Sequence, residues 1–262
     1  MSKLPQKAVI LARGLGTRMR AEAAGVDLTP EQERIASAGI KALVPVANGK
    51  TLLELIVENL SAAGFTDICL VIGPEHNAIR EYCSTKGIGV GFATQIEPNG
   101  TADAVLAAES CVDDDLFLVV NSDNLYPVES LRRLREKGRP AMLAFERAAL
   151  IDKSNIGEER IAKFATVEID PNGLLRRVVE KPKRVDLNSF VSMNAWLFPP
   201  TIYEACRAVE PSERGEYEIT AAVQYAIDCL GVQFAAIKTD EGVLDLSSRA
   251  DIEGVSNFLN SK

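Results

Sequence analysis

Histidine is almost missing from this chain: His76 is the one example in 262 residues. It lies in a polar stretch and is expected to be solvated, so any chemistry assigned here has to work without a histidine base. The five cysteines, Cys69, Cys83, Cys111, Cys206 and Cys229, are odd in number and show no paired metal-ligand spacing. They read as reduced, mostly buried thiols, as in a cytoplasmic protein. Cations are short too, with 29 Lys and Arg against 37 Asp and Glu and a net charge of −8. A nucleic-acid surface depends on clustered cations and is therefore not expected. No apolar run approaches the ~20 residues of a membrane span. Residues 1–7 hold no apolar signal region, so no membrane partner or anchor is expected. Linkers, low-complexity tracts and internal repeats are also missing.

What stands out is the stretch Ala8-Val9-Ile10-Leu11-Ala12-Arg13-Gly14-Leu15-Gly16-Thr17-Arg18-Met19-Arg20. Residues 8–12 have the continuous apolar character of a strand buried on both faces of a parallel sheet. Gly14 and Gly16 then allow backbone amides to approach a ligand closely. With Thr17 and the cations of Arg18 and Arg20, such amides form a concave anion site whose natural guest is a polyphosphate. The third glycine of a dinucleotide fingerprint is absent, and so is the Gly-Lys-Ser/Thr of a Walker loop. The alternative reading is a tight strand-to-helix turn without a ligand.

Downstream, strand and helix patterns alternate. Thr29-Pro30-Glu31-Gln32 combines a capping threonine, a proline at the first helical position and an acid in the first turn, which predicts a short helix before Gly39. Thr51 caps an amphipathic helix with Leu52, Leu53, Ile56, Val57 and Leu60 on one face and Gly64 at its close. Strands are expected at 67–73, 89–95, 116–120 and 141–146, with helices at 75–86, 101–109 and 127–138 between them. This alternation predicts an α/β fold, a Rossmann-like, mostly parallel sheet flanked by helices. Beyond residue 146 the pattern is less regular. Residues 164–169 and 174–179 flank the turn signal Asp170-Pro171-Asn172-Gly173, so an inserted antiparallel hairpin region is expected. A strand at 190–198, a helix at 219–230, a strand at 233–237 and a helix at 248–260 complete the reading.

Ligands of open α/β sheets sit beyond the carboxyl ends of the strands, where Asp123 follows the apolar run 116–120. An acid there either caps a turn or holds a cation, and two carboxylates with phosphate oxygens suit Mg2+. Asp245, among Val243, Leu244 and Leu246, is the candidate for the second carboxylate. Glu180-Lys181-Pro182 ends the second hairpin strand. Lys181 can meet a phosphate as a point charge while Glu180 accepts from hydroxyls; the alternative is an ordinary surface pair. Gln95 and the Gly100-Thr101-Ala102 turn form a strand end and a helix start able to read the edge of a base.

Taken in order, Leu11-Ala12-x-Gly14-x-Gly16-Thr17-Arg18, Lys41-Ala42-Leu43-x-Pro45-Val46, Gln95 with Gly100-Thr101-Ala102, Asn121-Ser122-Asp123, Val179-Glu180-Lys181-Pro182 and Leu244-Asp245 form a recognisable set. It resembles the sugar-phosphate nucleotidyltransferases, or nucleotide-sugar pyrophosphorylases, and most closely short glucose-1-phosphate thymidylyltransferase-like forms. The resemblance covers essentially the whole chain. It implies one catalytic domain over 1–262, with a nucleotide-binding half at 1–146 and a sugar-phosphate-binding half at 147–262. A nucleoside triphosphate would lie over Leu11, Ala12, Gly14, Gly16 and Thr17, with Arg18 and Lys41 at its phosphates and Gln95, Gly100 and Thr101 at its base. Asp123 and Asp245 would hold Mg2+, and Glu180, Lys181 and Asn194 would line the sugar phosphate. Arg18, Lys181 and Asp123 form the implied catalytic set.

The reaction implied is in-line attack of a sugar 1-phosphate oxygen on the α-phosphorus with release of pyrophosphate, Gln95 favouring dTTP or UTP. A homo-oligomer is compatible with such a fold. Several positions depart from the family pattern. Arg13 stands where a small residue is usual and is expected either to add a phosphate contact or to fold outward. The segment between Arg20 and Lys41 is longer than usual, and its helix is expected to act as a lid or an interface. Asn121, Ser122, Asn194 and Ala221 alter the acceptor side. The β-helix repeats of acyltransferase-fused relatives do not follow, so no second activity is expected. The competing classes are a glycosyltransferase using a nucleotide sugar and a non-catalytic nucleotide-binding homologue.

Overall fold

A computed structural model describes residues 4–21, 25–113, 115–180 and 189–260 of the chain. Its strands are β1 (Lys7–Leu11), β2 (Pro45–Ala47), β3 (Lys50–Thr51), β4 (Asp67–Ile72), β5 (Gly91–Thr94), β6 (Phe117–Asn121) and β7 (Asn124–Leu125). They continue with β8 (Ala141–Glu146), β9 (Thr166–Ile169), β10 (Leu175–Val179), β11 (Phe190–Phe198), β12 (Ala235–Thr239) and β13 (Leu244–Asp245). Among the described residues, nine strands form one sheet in the order β10-β9-β11-β6-β1-β4-β5, with β8 beside β11 and β12 beside β8. β1 runs parallel between β4 and β6, Ile10 lying opposite both Leu70 and Val120, and β5 adds a further parallel strand. β11 is antiparallel to β6 and β8, while β12 is parallel to β8.

The apolar character of β1 follows from this central position. Ala8 and Ile10 face one cluster with Leu70, Leu118 and the buried side of helix Leu52–Ala62, while Val9 faces another with Val71, Val119 and Val223. Each fully buried aliphatic side chain of this kind stabilises the fold by roughly 1.5–3 kcal/mol. Helix starts are written locally. Thr29 Oγ1 accepts from Gln32 N at 3.2 Å while Gln32 Oε1 accepts from Thr29 N at 3.0 Å, a reciprocal cap for helix Pro30–Ala38. Thr51 and Glu54 repeat the arrangement at helix Leu52–Ala62.

The expected antiparallel hairpin is present as β9–β10 and joins the main sheet through β9, which pairs with β11. Other expectations need correction. The helix expected over 101–109 divides into Thr101–Ala107 and Glu109–Val112. Helices Arg147–Lys153, Glu158–Ile161 and Ile202–Ala208 were not foreseen, and none has a side-chain cap to announce it. Nor were the short pairs β2–β3 and β7–β13, the latter setting Asp245 opposite Asn124. No helix among the described residues is long and apolar enough to cross a membrane.

Candidate active site

The carboxyl ends of β5, β4, β1 and β6 lie side by side and open into one cavity of about 420 Å³. Ala12 N donates to Val71 O at 2.8 Å, after which the chain leaves the sheet as a loop lining this cavity with Leu11, Ala12, Arg13, Gly14, Gly16 and Thr17. Gly16 has φ 63°, and a Cβ there would lie 2.2 Å from Gly39 O, so both conformation and space demand glycine. Arg18 faces the cavity. Arg20 does not serve the anion site as expected: its Nη1 donates to Ala38 O at 3.1 Å and its Nη2 to Leu15 O, tying the loop to the segment before Gly39. That segment is pinned at its far side by Arg249, which bonds Met19 O at 2.9 Å and Glu33 Oε2 at 2.6 Å.

Next to the loop, Lys41 Nζ donates to Asp123 Oδ2 at 2.9 Å, with side-chain exposures of 16% and 24%. Both line the cavity. At the opposite end Gln95, 3% exposed, donates through Nε2 to Gly100 O at 3.1 Å and to Asp103 Oδ2 at 2.7 Å. Gly100 (φ 119°) is pressed against Tyr217, and Thr101 Oγ1 accepts from Ile219 N at 2.9 Å, so residues after 216 brace the turn. His76 is not solvated as expected. Its side chain is 13% exposed, its Nδ1 accepts from Gly73 N at 3.2 Å, and it lines the cavity. Burial, helped by Arg13 and Arg20 and opposed by Glu75, pushes its imidazole below the ordinary 6.5, which keeps it neutral. Arg13 neither reaches the phosphate end nor folds outward; it is buried, with Nε donating to Gln95 O at 3.2 Å.

Over residues 7–261 the chain matches the family model for nucleotidyl transferases. It belongs to that family. A glucose-1-phosphate thymidylyltransferase from Streptomyces antibioticus is 33% identical over 228 residues, 85% of this chain and 57% of that protein. The UTP-glucose-1-phosphate uridylyltransferase AglF from Haloferax volcanii is 28% identical over 261 residues, 98% of this chain and 97% of that protein. The chain thus spans less than three fifths of the streptomycete relative and nearly all of the haloarchaeal one. Among solved structures, UDP-glucose pyrophosphorylase complexed with UDP-glucose matches with a TM-score of 0.76 at 19% identity, covering 98% of this chain and 99% of that one. The two share a fold.

In this nucleotidyl transferase the two acids named for a metal are neighbours along the backbone: Leu246 N donates to Asp123 O at 2.8 Å, and Asp245 pairs with Asn124. As a donor set, two carboxylates fit a hard divalent ion. Their side chains are already partnered. Asp123 holds Lys41, whereas Asp245, outside the cavity lining and 5% exposed, is held by Arg160 Nη2 and by Asn124 Nδ2 at 2.9 Å. No group of three or more His, Cys, Asp or Glu among the described residues is placed to hold a metal. An ion using both acids has to displace Lys41 and Arg160.

Of the residues expected at the sugar phosphate, Glu180 is exposed and accepts from Thr220 Oγ1 at 2.9 Å, and Lys181 lies outside the described residues. Asn194 has φ 58° in a bulge of β11, where its Oδ1 accepts from Trp196 Nε1 at 3.3 Å. Neither Glu180 nor Asn194 lines the cavity. Residues that do line it without having been singled out include Glu216, Ile79 and Pro98. Arg160 was missed as well; no local pattern marks an arginine that meets Asp245 from 85 positions away.

Proposed function

We propose that this nucleotidyl transferase joins a nucleoside triphosphate to a sugar 1-phosphate, giving a nucleotide sugar and pyrophosphate. The reading is carried by the one cavity that gathers the glycine loop, Arg18, Lys41 and Asp123 at one end and Gln95, Gly100 and Thr101 at the other. The relatives named for glucose 1-phosphate, with a thymidylyl or uridylyl group, support a hexose 1-phosphate acceptor and dTTP or UTP as donor. A cytoplasmic setting goes with the free cysteines.

The loop amides and Arg18 hold the triphosphate, and Lys41 adds charge beside it. An oxygen of the sugar phosphate, already anionic, attacks the α-phosphorus; the bond to the bridging oxygen breaks and pyrophosphate leaves. No base is needed. Glu180, Lys181 and Asn194 are assigned to the sugar phosphate. Mg2+ is the ion assigned to Asp123 and Asp245, where it would neutralise phosphate charge. Pyrophosphate release, measured for each nucleoside triphosphate against a panel of sugar 1-phosphates with and without Mg2+, tests the reading. Turnover with dTTP or UTP and a hexose 1-phosphate, dependent on Mg2+, is the expected result. Nucleotide binding without pyrophosphate release overturns it in favour of a non-catalytic homologue, and release of a nucleoside diphosphate from a nucleotide sugar in favour of a glycosyltransferase.

A further inference from the structure

The glycine loop after β1 is shaped from behind. Among the described residues, the amides of residues 13–15 donate to no backbone carbonyl, so main-chain bonding alone does not fix the loop between Ala12 and Gly16. Two arginines grip it instead. Arg20 Nη2 donates to Leu15 O and Arg249 Nε to Met19 O at 2.9 Å, one on either side of Gly16, Thr17 and Arg18. No described peptide bond is cis, and in a planar trans peptide a carbonyl drawn toward Arg20 turns the N–H of Gly16 to the opposite side. Leu15, Gly16, Thr17 and Arg18 line the cavity, whereas Arg20 and Arg249 stand outside its lining. The grip therefore comes from outside the ligand space.

Both arginines rest on the same short helix. Arg20 Nη1 donates to Ala38 O at 3.1 Å, at the end of helix Pro30–Ala38. Arg249, 6% exposed, bonds Glu33 Oε1 and Oε2 through Nη1 at 2.7 and 2.6 Å, and Ser37 Oγ through Nη2 at 2.9 Å. Its bond, with that of Ser37, holds the Glu33 carboxyl below the ordinary carboxylate range, so the pair stays charged at neutral pH. Gln32 Nε2 adds a third anchor, donating to Pro45 O at 2.8 Å just after the segment that carries Lys41. The helix end is also locked against the loop: Gly39 has φ 76°, and a Cβ there would lie 2.4 Å from Arg20 Nη1. None of residues 30–38 lines the cavity, whose lining resumes at Gly39. A helix anchored at three points behind the loop does not cover the ligand. We propose that helix Pro30–Ala38 is a brace and not a lid, and that Arg20 and Arg249 are positioning residues that hold the loop in its triphosphate-binding shape, a reading that rests on the nucleotidyl-transfer function above. Donors held in place in advance cost no reorganisation when the phosphates arrive.

The test is titration calorimetry without acceptor, for dTTP and the four ribonucleoside triphosphates, each against its own monophosphate, followed by KM and kcat with a hexose 1-phosphate. For the triphosphate that the wild type binds best, Arg20→Met and Arg249→Met are each expected to lose about 10–100-fold, the scale of a lost charged hydrogen bond. The matching monophosphate, which meets less of the loop, changes less than about threefold. In turnover, KM for the triphosphate rises while KM for the hexose 1-phosphate stays within about twofold. Arg249→Lys, which keeps a donor near Met19 O, recovers part of the affinity. Arg20 is exposed, so Arg20→Met carries the test where Arg249→Met fails to fold. Amide exchange over residues 30–38 is expected to be the same with and without the triphosphate, as for an element already in place. Unchanged triphosphate affinity in the folded variants, equal losses for mono- and triphosphate, strong new protection of residues 30–38 on binding, the mark of a closing lid, or a wild type that binds no triphosphate each overturns the proposal. Selective loss of triphosphate binding in a protein that releases no pyrophosphate leaves this proposal standing and removes the nucleotidyl-transfer reading instead.

Discussion

Asp123 and Lys41 neutralise each other across 2.9 Å while each keeps part of its surface open to the cavity. Both side chains are mostly buried yet line the cavity, so a phosphate group entering it meets Lys41 and a cation meets Asp123. Asp123→Asn is expected to lower pyrophosphate release at least about 100-fold, the scale of losing a group that acts on the transition state, with the melting temperature moved by no more than a few degrees. Near-normal turnover would take Asp123 out of the site. His76 gives a second prediction. Its folded-state pKa lies below the ordinary 6.5, so the unfolded chain binds its proton first as pH falls. Its neutral form leaves stability intact above about pH 6.5, and stability declines as pH drops through the depressed folded value. Melting curves between pH 7.5 and 5 are expected to fall less steeply for His76→Gln than for the wild type; parallel slopes would show that the imidazole titrates as in water.

At the scale of elements, the strands Ala141–Glu146 and Phe190–Phe198 occupy the residues expected of them, because burial on both faces writes itself into a mostly apolar run, broken in the second strand by Ser192 and Asn194. The capped helices at Thr29 and Thr51 were legible for a similar reason: the signal lies within three residues of the start. β7 and β13 were not, since two residues carry no periodicity and their pairing is a tertiary event. The same distinction divides the site. Gly16, in the loop after β1, and Gln95, just past β5, sit where a local reading finds them, whereas the course of Arg13 depends on which strands flank β1, and the downward shift of His76 draws in part on Arg13. A local signal also allows a clean control. Thr51→Ala removes an Oγ1 that accepts from Glu54 N at 3.3 Å, outside the cavity lining. It is expected to destabilise by about 1 kcal/mol, lowering the melting temperature by roughly 2–4 °C and leaving kcat and KM unchanged. A loss of activity at that site would mean that helix Leu52–Ala62 is coupled to catalysis.

Over the whole molecule, the strands before and after residue 146 share one sheet, and Asp245 adds a polar tie beyond it. Arg160 Nη1 bonds Asp251 Oδ1 at 2.7 Å while Nη2 bonds Asp245; Asn155 Nδ2 donates to Asp245 O at 2.8 Å; and Asn124 reaches Asp245 from the other side. The tie is asymmetric. Without Arg160, the 7%-exposed side chain of Asp245 keeps Asn124 alone, whereas without Asp245, Arg160 still has Asp251. Arg160→Met is therefore expected to destabilise by about 3–5 kcal/mol, the scale of stranding a buried charge. Asp245→Asn should cost clearly less, and the double variant should be more stable than Arg160→Met alone. The same asymmetry addresses the metal. If Mg2+ takes Asp245, it competes with Arg160, and adding it raises the melting temperature of Arg160→Met more than that of the wild type. Equal shifts in the two proteins would mean that the ion relies on Asp123 and the substrate phosphates, with Asp245 holding the chain together and taking no part in metal binding.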